Sequence, residues 1–197
     1  MKTSRLLLAL LAATLLLSNC GGKKEEKEEP KNDLESLQEM AEKVGKSSDE
    51  APKEAVDAKL LKELLPADAD GMPRKEASSE KAGAMGFQVS TAQGTYREGD
   101  SSIEVVIADV AGTGAIMGMA AWAMVDIDKE TDNSYEKTTT YKDNKAFEKY
   151  DKNNKDGEIA VILANRFVVT VKGNNVEMDK VKSTLDAIDL GKLADLK

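Results

Sequence analysis

Histidine is missing from this 197-residue chain, and cysteine occurs once, at position 20. Those two shortages remove the Ser-His and Cys-His dyads, any zinc site built on imidazole, and every disulfide within the chain. A carboxylate pair, a Ser-Lys arrangement or a tyrosine remains for catalysis, and no spacing signature marks any of them. Basic residues are also in deficit, 28 Lys and Arg against 36 Asp and Glu. Phosphate backbones are bound by basic patches that release counterions, so this balance argues against nucleic acid as a partner. Long apolar runs are lacking as well. The N-terminal run, Leu6 to Leu17, has twelve residues, whereas a stable membrane span needs about 20.

That run has a definite context. Lys2 and Arg5 precede it, Leu17-Ser18-Asn19-Cys20 closes it, and Gly21-Gly22-Lys23-Lys24 follows. A basic start and a short Leu/Ala core are the plan of a secretory signal. The closing four residues resemble the lipobox of bacterial lipoproteins, in which a peptidase cleaves before a cysteine that has received a lipid. Asn19 stands where that family usually carries Gly, Ala or Ser. The resemblance implies cleavage between Asn19 and Cys20, acylation of Cys20, and a membrane as the partner that the acyl chains enter. Each buried methylene contributes about 0.8 kcal/mol, so several chains give lasting attachment where one is marginal. Cys20 is therefore read as an anchor rather than a nucleophile. Gly21 occupies the place where Asp would signal inner-membrane retention, which implies outer-membrane sorting. Lys24-Glu25-Glu26 is similar to a surface-export signal of some lipoproteins, although a solvated charged tether accounts for the same residues. Loss of Lys2 and Arg5 with the leader takes Lys and Arg from 28 to 26 against 36 acids, and the net charge from −8 to −10.

Four segments follow from composition: a signal peptide over 1–19, a lipidated charged tether over 20–50, a helix and irregular lead-in over 51–84, and a folded α+β domain over 85–197. Residues 21–33 have nothing apolar to bury and read as a leash. Asn32 or Asp33 can cap a short helix with Leu34, Leu37, Met40 or Ala41, and Val44 on one side and Gly45 as its stop. Pro52 opens a second helix with Val56, Leu60, Leu61, Leu64 and Leu65 as its apolar face, ended by Pro66. Residues 66–82, with Gly71, Pro73 and many Ser, Glu and Lys, read as irregular.

From residue 85 the period changes to two. Phe87, Val89 and Thr91 alternate with Gln88, Ser90 and Ala92, and Arg97-Glu98-Gly99-Asp100 turns the chain into the strand Ile103 to Ala108. Ala111 to Val125 is uncharged and long enough for a helix. Tyr135 to Tyr141 and Ala146 to Tyr150 are strand candidates. Ile159 to Ala164 and Phe167 to Val171 make a hairpin about Asn165-Arg166, whose Asn tolerates a positive φ. A last amphipathic helix carries Val176, Met178, Val181, Leu185 and Ile188. The order strand, strand, helix, four strands, helix predicts an antiparallel sheet of five to six strands with helices on one face.

Candidate sites are few. Met117, Met119, Trp122 and Met124 form an adaptable apolar patch for a partner or hydrophobic ligand, unless this stretch packs on the domain's own sheet, as uncharged helices usually do. The acids Asp126, Asp128, Glu130 and Asp132 fail the calcium-loop test because Thr131 and Lys137 occupy its Gly and final-acid positions. Asp151 to Gly157 fails it too, with Gly one place late and Ile162 at the final ligand. Gly112-Thr113-Gly114 lacks the rest of a phosphate loop. Neither metal nor cofactor is expected. The functional expectation is a non-enzymatic binding or interaction module of the envelope. The alternatives are a carrier of a hydrophobic ligand or lipid, and an enzyme using carboxylates or a Ser-Lys pair.

Overall fold

The computed structural model describes residues 54–84, 87–111 and 125–196. Helix α1, Ala58–Glu63, starts where the Asp57 carboxylate accepts the Lys59 N–H at 2.9 Å, which satisfies one of the donors a helix start leaves open. Its exit is held as firmly. Tyr96 Oη donates to the Pro66 carbonyl at 2.8 Å, and Arg74 Nη1 donates to the Leu65 and Pro66 carbonyls, each at 3.1 Å.

Nine strands follow: β1 Asp68–Ala69, β2 Met72–Ala84, β3 Phe87–Glu98, β4 Ser101–Asp109, β5 Asp128–Glu130, β6 Ser134–Tyr141, β7 Asn144–Asp151, β8 Asp156–Leu163 and β9 Phe167–Asn174. All pairings are antiparallel, in the order β1-β2-β3-β4-β9-β8-β7-β6-β5. Two meanders are thus joined where β4 meets β9. Helices α2, Met178–Asp186, and α3, Leu190–Ala194, complete the chain. The fold is α+β.

Three expectations change. The sheet has nine strands rather than five or six. Residues 66–82, expected to be irregular, form β1 and most of β2, joined by Asp70 and Gly71 at φ 52° and 88°. The reason is pairing: β2 is held by β3 through an almost unbroken register from Glu76↔Thr95 to Ala84↔Phe87, although its own side chains carry no apolar alternation. The 159–171 hairpin turns through three residues instead of two, with Leu163 opposite Phe167 and both Ala164 and Asn165 at positive φ. The helix expected over 111–125 and the tether helix lie outside the described residues.

One side of the sheet holds the core. α1 packs on β2, β3 and β4, and α2 on β8, β9 and β1. Leu61, Leu65, Val181, Leu185 and Leu193 meet Tyr96, Ile103, Val105, Ile107, Ile159, Val161, Phe167, Val169 and Val171 in a single buried cluster. Leu60, placed on the apolar face of its helix by spacing, is 42% exposed. Gly173 lets α2 come close, since a Cβ there would overlap Val176 and lie 2.7 Å from Val181 Cγ2.

Candidate functional site

Because side chains alternate along a strand, the residues between those core positions form the sheet's other face. Register decides what stands beside what. Glu104 on β4 is opposite Lys172 on β9, Lys172 opposite Glu158 on β8, Glu158 opposite Lys149 on β7, Lys149 opposite Glu136 on β6, and Glu136 opposite Lys129 on β5. Six strands therefore carry one charge each in a row that alternates in sign at every step. Cross-strand neighbours lie about 5 Å apart, and two pairs close into ion pairs, Lys149–Glu158 at 2.9 Å and Lys129–Glu136 at 3.7 Å.

This row floors an open cleft of about 700 Å³. Thr95, Arg97, Ser102, Ser134, Asp151, Asp156 and Asn174 also line it. Two of the acids are engaged locally: Asp156 accepts from Asn174 Nδ2 at 3.0 Å and the Asn175 N–H at 3.2 Å, and Asp151 accepts the Asn153 and Asn154 N–H groups. Further along, the same face turns apolar: Ala160, one row on, and Ala108 and Val168, two rows on, are buried.

A second polar system sits on the helix side. Tyr135 donates to Glu148, which Lys182 meets at 2.9 Å; Tyr150 donates to Glu177 at 3.0 Å, which Lys155 meets at 2.8 Å; Tyr141 donates to Asp186, which Lys142 meets at 2.8 Å. Each set joins a sheet tyrosine to a carboxylate and a lysine, and each ties α2 or its N-cap to β6, β7 or their turns. Burial pushes the tyrosines up, helped by the carboxylates beside them, Tyr141 to about 12 and Tyr135 further. Burial opposes charge on Glu148, but hydrogen bonds from Tyr135 and Lys182 outweigh it and hold the carboxyl below its ordinary value. Lys142 and Tyr141 lower Asp186, and Lys155 and Tyr150 lower Glu177. All these shifts move away from neutrality. By geometry the sets fasten α2 and its N-cap to the sheet.

Asp109 is a fourth such point. It is fully buried and accepts from Arg166 Nε and Nη2, the Val56 N–H and the Ala111 N–H, each at 2.8 Å. Arg166 Nη2 also donates to the Glu54 carbonyl at 2.9 Å, and Ser90 Oγ to that of Val56 at 2.5 Å. The four bonds satisfy the buried carboxylate and pin residues 54–56 to the sheet.

The residues singled out from sequence fare unevenly. Asn19, Cys20, Met117, Met119, Trp122 and Met124 lie outside the described residues, as does Gly112-Thr113-Gly114. Asp126, Asp128, Glu130 and Asp132 are exposed, Asp128 and Glu130 in β5, and no group of acids suited to a metal ion occurs among the described residues. The charged row was missed, although Glu104, Lys149, Glu158 and Lys172 all occupy the polar phase of alternating strands. The chain matches no protein-family model, no curated protein and no solved structure.

Proposed function

We propose that the chain is an envelope lipoprotein, cleaved before Cys20 and held on the outer membrane by acyl chains there, whose folded part is a non-enzymatic binding module. The observation that carries the binding role is the 700 Å³ cleft floored by alternating charges, a surface suited to a polar partner. Leu17-Ser18-Asn19-Cys20 supports the anchor. The helix side of the sheet is filled by side chains with almost no exposure, which speaks against a hydrophobic ligand between sheet and helices.

Two measurements test this reading. Full-length protein expressed in a bacterial host with alkyne-palmitate should take up label in the membrane fraction, and Cys20→Ser should be unlabelled and either unprocessed or soluble. Label retained by Cys20→Ser, or none on the wild type, overturns the anchor. A photo-cross-linking residue at Lys172, in the cleft, should give discrete adducts in intact cells that the same residue at Lys62, exposed on α1, does not give. Equal yields at both sites, or none at either, overturn the cleft.

A further inference from the structure

The two rims of the sheet are closed in different ways. β5 ends one rim with three residues. At the other, β1 covers β2 only at Met72 and Pro73. From Glu76 to Ala84 β2 is paired to β3 alone, and no described residue pairs along its other side. Every second residue of such a strand aims its N–H and C=O away from its partner, so about four residues present unpaired backbone in a row. Side chains do not obstruct it: Ser78, Ala82 and Gly83 are small and exposed. A long open edge of this kind is a template for another strand.

Charge decides which strand. On the face away from the helices the edge presents Glu76, Ser78 and Glu80, while Lys81 is turned to the other face and held by Glu54 at 3.2 Å and the Ala55 carbonyl at 2.6 Å. A second copy would pair about a two-fold axis. Centred on Ser78, that axis sets Glu76 of one copy against Glu80 of the other, twice over, and Lys75 against Lys81. Centred on Glu80, it sets that residue against itself, and centred on Ser79 it leaves the glutamates as diagonal neighbours. Like charges across strands are destabilising, and opposite charges stabilise. We propose that the open edge of β2 is a docking site for an extended segment of a partner protein carrying basic side chains four residues apart. This holds whether or not Cys20 is acylated or the cleft is occupied.

The test uses the detergent-solubilised full-length chain and a synthetic seven-residue peptide of alternating threonine and valine, with lysine at its second and sixth places. This peptide should bind at least tenfold more tightly than one with glutamate at those places, and N-methylation of alternate amides should abolish binding. The double variant Glu76→Lys, Glu80→Lys should reverse the preference. Amide exchange should slow over residues 75–84 on binding. Equal affinity for both charged peptides, protection confined to other strands, or self-association through β2 in sedimentation would each overturn the proposal.

Discussion

The two faces of this sheet are made by the same strands and obey opposite rules. On the helix side the core positions are filled in depth, against another element, and Asp109 is tolerated there only with four hydrogen bonds. On the other side the charges of Glu104, Lys172, Glu158, Lys149, Glu136 and Lys129 are matched sideways, strand to strand, with solvent above them. A buried face depends on volume and on satisfied polar atoms, whereas an exposed face depends on sign. The first resists substitution and the second leaves residues free to serve recognition.

The sharpest way to break that contrast is Asp109→Ala. It strands the Arg166 guanidinium, whose side chain is only 14% exposed, and leaves the Val56 and Ala111 N–H groups without their acceptor. Removing one member of a buried pair costs about 3–5 kcal/mol, which urea denaturation of the full chain should register. Limited proteolysis should gain cuts near residues 54–57. Unchanged stability would mean that the helix side tolerates charge as readily as the other. Gly173→Ala ranks next. Its Cβ would run into Val176 and Val181, β-branched side chains with little room to turn aside. Overpacking of this kind costs about 1–3 kcal/mol, seen as a lower urea midpoint at constant slope.

The same contrast explains what could be read in advance. Ile103 to Ala108, Ile159 to Leu163 and Phe167 to Val171 show themselves because one phase of each is apolar. β2 does not, since its residues are Ala, Ser, Gly and charges, and β3 beside it makes it a strand. β5, three polar residues long, is hidden for the same reason. Turn chemistry was legible at Asn165 but not at Ala164, whose positive φ runs against its residue type. Asp109 and Arg166 are 57 positions apart, and their meeting is a product of register between β4 and β9. The charged row was within reach, because reading the polar phase as carefully as the apolar one picks out its members singly. Only the strand order, β4 beside β9 beside β8, sets their signs in alternation.

Lys149→Ala tests the other face directly. Lys149 meets Glu158 at 2.9 Å, their side chains 52% and 19% exposed, so water reaches the pair from the lysine's side and replaces the lysine when it is removed. Exposed pairs contribute up to about 1 kcal/mol, and raised salt should shrink even that, because the Debye length falls to about 3 Å at 1 M. The expected urea midpoint is close to that of the wild type in low salt and indistinguishable from it in 1 M salt. A loss as large as that of Gly173→Ala, persisting in high salt, would show the row to be a structural spine and would take away the freedom on which the binding role proposed for it depends.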